Sequence, residues 1–381
     1  MDTSCYEPFH RLVELHKLLG DERSKRLFWA RLQYDTEQGL DELIRLVDAS
    51  GLLDEETRAE RMSWRRRFDE IARSGGMVCF WGLGSVGTVI AEALECSGFE
   101  TYVFCDTRKS GVYKGKQIIT PAELFRNSGK YYVIVSATGT ACREIIQLLR
   151  ENHFPEGHVL DAFNVPIRSK RYEPDYCELL PDELSTGAFV DAGCYDGADS
   201  IRFAAVSGGR YSKIYAFEPD PQNIEKCRRN FREHGVERVE LFQAGLGEKT
   251  GRATLASNGT ETSCYADNEL SMHSFVANPS GAKEIEVQTV ALDDAVEDPI
   301  GMIKMDIEGM ELDALCGAGN TIKRDKPFLA VSIYHRQGDM LAIMQFLHDL
   351  VPEYRFWIRH YTPTIYDTVL FASVEALHCA E

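Results

Sequence analysis

The chain has 381 residues, a formal charge of −18 and 44% apolar side chains. Such acidity argues against a nucleic-acid partner, which needs a basic footprint, and against an anionic membrane surface. The length fits two or three domains, and no apolar run reaches the roughly 18 residues of a membrane span.

Residues 1–74 read as a helical segment. FHRLVELHKLL, SKRLFWARLQY and LDELIRLVDA each place apolar residues at three- and four-residue steps. Arg61–Ala72 reads as one more helix, stopped by Ser74-Gly75-Gly76. Its arginines 61, 65, 66 and 67 read mostly as a solvated face. No chemistry is visible here, and docking into a homo-oligomer is compatible with it. The eleven cysteines of the whole chain are odd in number and scattered, with no C-x-x-C, as in a reducing compartment. The N-terminus is acidic and polar and carries no secretory signal, so the expected location is cytoplasmic.

Residues 75–165 read as a Rossmann-like nucleotide-binding domain. Met77–Trp81 is a strand, and Gly82-Leu83-Gly84-Ser85-Val86-Gly87 follows it and opens the helix Thr88–Ser97. Thr101–Cys105 is the next strand, with Asp106 at its end. Gly82, Gly84, Gly87 and Asp106 thus form G-x-G-x-x-G with an acid beyond, suited to a diphosphate and a ribose. Arg108 and Lys109 add positive charge beside them. Tyr131–Val135 is a further strand and Cys142–Arg150 a helix. The stretch FCDTRKSGVYKGKQIITPAEL is similar to small nucleotide-binding domains on sugar-modifying enzymes, which implies a nucleotide or nucleotide sugar as ligand. A degenerate scaffold is the bland alternative.

Residues 166–187, punctuated by Pro166, Pro174 and Pro181, read as a connector. Residues 188–381 then open a second α/β unit. Phe189–Ala192 and Lys213–Phe217 are strands ending in Asp191 and Glu218, with the helix Ala198–Ser207 between them. Gly193 and Gly197 allow a tight turn and close approach to a ligand. Glu218 is placed to accept from both hydroxyls of a ribose. Asp196 in this loop would repel a pyrophosphate. A cationic cofactor without phosphate, such as S-adenosylmethionine, suits it better.

VDAGCYDGADS, YAFEPDPQN, VQTVALDDAV and IKMDIEGMELDAL together resemble the FkbM-type methyltransferase family over about residues 186–373. The resemblance implies an S-adenosylmethionine-dependent methyltransferase on a seven-stranded class I methyltransferase sheet, usually an O-methyltransferase. The fold class expected for the whole chain is α/β, with two tandem Rossmann-like units after the helical segment. Asp191, Gly193, Asp196, Gly197, Glu218, Pro219, Asp220, Gln243 and Ala244 are the expected cofactor residues, the last two where adenine would sit after the strand Val239–Gln243. Arg252–Ala256 and Ile285–Val290 flank a polar loop, Ser257–Gly281, that could cover the acceptor. Met302–Met305 and Phe328–Ile333 continue the sheet. Tyr354–Arg359 and Thr368–Ala372 are joined too closely for a crossover helix, so they should pair antiparallel.

Ligands of such a sheet lie beyond the carboxyl ends of its strands. Asp306, Glu308 and His335 stand there as the catalytic candidates, with His360 and Asp367 as weaker ones. His335 fits a general base, and the two acids could orient it or hold the acceptor. No metal is expected, although Asp306 and Glu308 are a pair that a divalent cation could use. Asp306 could also simply cap the following helix. The leading reading is O-methylation of a sugar, glycan or polyhydroxylated metabolite. A nicotinamide-dependent nucleotide-sugar epimerase or dehydratase is the first alternative, weakened because no Tyr-x-x-x-Lys occurs. A non-catalytic nucleotide-sugar sensor is the second.

Overall fold

The computed structural model describes residues 7–137, 139–162, 174–181, 187–257, 264–265 and 283–377. Most of the expected connector 166–187 and of the polar loop 257–281 lies outside them. Two compact units emerge, one of residues 29–173 and 361–365, the other of 1–28, 174–360 and 366–381.

The first of these units holds three helices, α3 (Leu40–Ala49), α4 (Glu55–Met62) and α5 (Trp64–Arg73). They follow α1 (Glu7–Lys17) and α2 (Glu22–Glu37), and the boundary between units falls within α2. The continuous helix expected over 61–72 is interrupted at Ser63, whose hydroxyl donates to the Glu60 carbonyl. Arg61 is buried, with its guanidinium 5.5 Å from the Trp64 ring centroid, so it does not belong to a solvated face. The sheet comprises β1 (Met77–Trp81), β2 (Tyr102–Cys105), β3 (Gly111–Tyr113), β4 (Lys116–Ile119), β5 (Tyr131–Val135) and β6 (Val159–Ala162), in the order β3-β4-β2-β1-β5-β6. All pairings are parallel except β3 with β4. That hairpin escaped the sequence reading. Its turn is Lys114-Gly115, with φ of +46° and +73°, the two left-handed residues a tight hairpin needs. Helices α6 (Ser85–Cys96), α7 (Pro121–Arg126) and α8 (Gly139–Glu151) make the connections.

The other unit is built on β7 (Ala188–Ala192), β8 (Ile214–Phe217), β9 (Val239–Phe242), β14 (Ile300–Met305), β15 (Phe328–Ser332), β16 (Arg355–His360) and β17 (Thr368–Ser373). Their order is β16-β17-β15-β14-β7-β8-β9. β9, β8, β7, β14 and β15 run parallel, and β17 is antiparallel to both its neighbours, as the short final connection requires. The central strands are buried throughout, which is why they read as unbroken apolar runs. Helices α9 (Ala198–Val206) and α10 (Pro221–Glu233) follow β7 and β8. A four-stranded sheet pairs β13 (Lys283–Val290) with β10 (Gly245–Leu246) and β11 (Gly251–Ser257), and β11 with β12 (Cys264–Tyr265). Three short or medium helices, α11 (Leu292–Ala295), α12 (Glu311–Cys316) and α13 (Gly319–Asp325), precede β15, and α14 (Asp339–Leu350) follows it. The turn after α1 belongs to this unit. Gly20 N donates to Phe356 O and Phe356 N to Leu18 O, covering the edge of β16.

Candidate active site

The carboxyl ends of β7, β8 and β9 bring together the residues expected to hold a cofactor. Gly193 has φ +74°, and a Cβ there would lie 1.9 Å from the Asp306 carbonyl oxygen. Gly197 has φ +85°, and its Cβ would meet the Phe231 ring at 2.5 Å. The close approaches that these glycines allow are therefore to the end of β14 and to α10. Asp196 accepts from Ala198 N and starts α9, and Asp220 accepts from Gln222 N and caps α10. Glu218 accepts from Tyr195 N at 3.0 Å and Asp220 N at 2.9 Å. Its burial pushes the carboxyl up to about 7 despite those hydrogen bonds. Beside it, Pro219, Pro221 and the exposed Gln243 line a cavity of about 410 Å³ with Ile285–Gln288 of β13. Ala244 is buried beneath.

Asp191 is fully buried at the end of β7, where Ser200 Oγ donates to it at 2.6 Å. Its cation is Lys304, the penultimate residue of β14. The ammonium lies 3.1 Å from Asp191, 3.2 Å from Asp199 and donates to the Gly193 carbonyl at 2.8 Å. Burial alone would lower the Lys304 pKa, but Asp191, Asp199 and Asp306 outweigh it and hold the charge. Asp199 is pushed up to about 6 by burial, against the pull of Lys304. Sequence reading passed over Lys304. The available signal was a lysine inside the apolar run of a parallel strand, a residue that is seldom buried unless paired.

The residues expected to be catalytic lie at the ends of β14 and β15. Asp306 and Glu308 stand in one turn, where Glu308 and Gly309 have φ of +57° and +93°. A glutamate in the left-handed region is strained backbone of the kind found at functional sites. His335 is fully buried. Its Nδ1 lies 2.8 Å from Glu311 Oε1, while Nε2 faces Asp306 Oδ1 at 3.5 Å and Glu308 Oε2 at 3.6 Å. Burial alone would lower the imidazole pKa, but Glu311, Glu308 and Asp306 raise it to about 10. The carboxyls around it thus favour the protonated ring, which speaks against the general-base role expected from the sequence. Glu308 is raised to about 8 by burial, with His335 pulling the other way. Asp306 stays below the ordinary range. Burial opposes this, but His335, Lys304 and hydrogen bonds from Tyr176 and Ser332 prevail. Glu311, on α12, also went unrecognised, because nothing in the sequence marks it as the partner of His335.

Ligating atoms of Asp306, Glu311 and His335 lie within 4.8 Å of one another. They fit a cation poorly, because Glu311 Oε1 already takes Ile307 N at 2.9 Å and faces the imidazole. The imidazolium supplies the positive charge that the acids need. Of the weaker candidates, His360 is buried with Nδ1 2.8 Å from Thr368 Oγ1, and Asp367 has φ +57°.

In the other unit two of the three glycines of the G-x-G-x-x-G turn lie close against backbone. A Cβ on Gly82 would meet the Ser136 carbonyl at 2.8 Å and one on Gly87 the Gly82 carbonyl at 2.1 Å, whereas Gly84 faces open space. Asp106, however, is turned onto its own loop. It accepts from Leu83, Arg108 and Lys109 N–H groups, and Lys109 Nζ donates to the Leu83 carbonyl.

Comparison with known proteins finds similarity to methyltransferases. The chain is 28% identical over 226 residues to 2-O-methyltransferase NoeI of Sinorhizobium fredii, covering 55% of this chain and 85% of that protein. It is 32% identical over 121 residues to Methyltransferase 1 of Beauveria bassiana, covering 28% of this chain and 49% of that one. Among solved structures it is similar to the methyltransferase FkbM from Methylobacillus flagellatus KT, with 20% identity, a TM-score of 0.49 and coverage of 80% and 92% of the two chains. The family described as the methyltransferase FkbM domain matches residues 191–356, from the acid that ends β7 to β16. The match to that family is to this part of the chain.

Proposed function

We propose that the chain transfers the methyl group of S-adenosylmethionine to a hydroxyl oxygen of a sugar, glycan or other polyhydroxylated small molecule. The observation that carries this reading is the adjacency of two sites on one sheet edge. Glu218 and the β7–α9 loop provide a ribose acceptor and a phosphate-free cradle, and Asp306 and Glu308 face the next position along the edge. A relative named as a 2-O-methyltransferase supports oxygen as the acceptor atom. Methyl transfer is an in-line displacement: the new O–C bond forms as the S–C bond breaks, and the hydroxyl proton goes to a base. Glu308, raised to about 8, is the base in this reading. Asp306 aligns the hydroxyl, and His335 keeps the acids in place.

The test is transfer of a labelled methyl group from S-adenosylmethionine to a panel of free sugars, nucleotide sugars and glycans, with Asp306→Asn as control. Transfer that is lost in the variant, with S-adenosylhomocysteine still bound, supports the reading. Absence of both transfer and cofactor binding overturns it. For the Gly82–Gly87 turn, the open face of Gly84 supports a nucleotide-linked ligand, and the engagement of Asp106 with its own loop speaks for a scaffold.

A further inference from the structure

The stretch expected to be a connector has a described part, residues 174–181 between Pro174 and Pro181, that reaches Asp306. Tyr176 is 3% exposed. Its hydroxyl donates to Asp306 Oδ2 at 2.9 Å and lies 3.2 Å from Ser332 Oγ, and Lys304 Nζ sits 5.1 Å from its ring centroid. The segment is pinned on both sides of this tyrosine. Asp175 pairs with Arg202 at 2.8 Å, and Glu178 with Arg359 at 3.1 Å. Arg359 is itself buried and paired with Asp21 at 2.7 Å. Two ion pairs and a buried phenol for an eight-residue stretch exceed what a tether requires.

We infer that Tyr176 is a positioning residue for methyl transfer, fixing the Asp306 carboxylate so that Oδ1 is presented to the acceptor. Oδ2 is occupied by the phenol, so the carboxylate cannot rotate without breaking a buried hydrogen bond. Oδ1 accepts from Tyr334 OH at 3.3 Å and lies 3.5 Å from His335 Nε2, and in this reading it also meets the acceptor hydroxyl. The phenol is a permanent donor, because burial, and then Asp306, Asp199 and Asp367, push its pKa well above the usual value. The other groups acting on Asp306 are Lys304 on its own strand, Ser332, Tyr334 and His335 at the end of β15, Glu308 in its own turn and Asp199 on α9.

The inference rests on the methyltransferase reading for its kinetic arm only. The first measurement needs no acceptor. In full-length protein labelled with ¹³C at aspartate carboxyls, the Asp306 signal is identified by its absence in Asp306→Asn. Its titration midpoint should rise by about one to two pH units in Tyr176→Phe, the worth of a hydrogen bond to a charged group. The second measurement uses the acceptor found in the panel. Tyr176→Phe should lower kcat about tenfold or more while KM and the affinity for S-adenosylhomocysteine stay within about twofold. An unmoved midpoint overturns the inference whatever the panel yields. A moved midpoint with unchanged kcat overturns the positioning role. A panel without any acceptor counts against the methyltransferase reading, and the midpoint then decides the Tyr176–Asp306 contact alone.

Discussion

Glu218 and Glu308 are carboxyls whose burial sets up pH-dependent behaviour in the proposed reaction. Both environments oppose ionisation, to about 7 and about 8. Ribose hydroxyls donate to an ionised carboxylate, so cofactor binding should favour deprotonated Glu218. Affinity for S-adenosylhomocysteine should therefore rise from pH 6 to pH 8. Glu218→Gln should bind about ten- to a hundredfold more weakly with no such rise, as calorimetry at the two pH values would tell. For Glu308 the sign is the same for a different reason. A protonated base cannot accept the hydroxyl proton, so below pH 8 the rate should climb about tenfold per pH unit. Glu308→Gln should lose that climb and about two to four orders of magnitude in kcat. A rate that is flat in wild type between pH 6 and pH 8 would remove Glu308 from this role. None of this was legible at the residue level. The sequence places both acids at strand ends, but the burial and the left-handed φ of Glu308 come from the packing around them.

At the scale of elements, what could be read depended on pattern strength. β7, β8, β14 and β15 are short, wholly buried strands between glycine or acid punctuation, and they were found to within about two residues. The antiparallel pairing of β16 and β17 followed from the length of their connection. Elements that depend on a partner were missed. β3 and β4 are half-exposed, and β6 offers only four residues. The active role of β14 was also underestimated. Its lysine neutralises acids on β7 and α9 and holds the loop between them through the Gly193 carbonyl. Lys304→Met keeps the apolar stem and removes the charge, leaving Asp191 and Asp199 without their cation. Breaking a buried pair in this way costs about 3–5 kcal/mol. The melting temperature should fall on the order of 10 °C, and cofactor affinity should fall with it because the loop loses its anchor. Wild-type melting in Lys304→Met would mean that the two aspartates are protonated in the folded protein.

For the whole molecule, the expected borders at 74/75 and 165/166 came from the Ser74-Gly75-Gly76 stop and the prolines of the connector, which mark where elements end and not how they pack. The first sheet is covered by helices that precede residue 75. Phe68 of α5 lies against Phe80 of β1 and Phe99, with ring centroids 6.3 and 5.3 Å apart, and both Phe68 and Trp64 are buried. Leu40 N donates to Ser97 Oγ, and Arg65 donates to the Ser97 carbonyl, tying α3 and α5 to the end of α6. A fragment of residues 75–165 would therefore expose the face of β1 that Phe68 covers, and each large apolar side chain uncovered costs about 1.5–3 kcal/mol. Against a total stability of about 5–15 kcal/mol, the loss of several such contacts is decisive. The 75–165 fragment should show no cooperative thermal transition by circular dichroism, and a sharp transition would contradict this account of the unit. Nucleotide binding must accordingly be sought in the full chain. Titration of UDP-, GDP- and CMP-sugars, NAD and NADP should give binding that Gly84→Asp abolishes while S-adenosylhomocysteine affinity is unchanged. A Cβ at Gly84 meets no atom beyond its chain neighbours within 4 Å, so the substitution should act on the open face of the turn through its charge. Identical titrations in wild type and Gly84→Asp would identify this sheet as a scaffold.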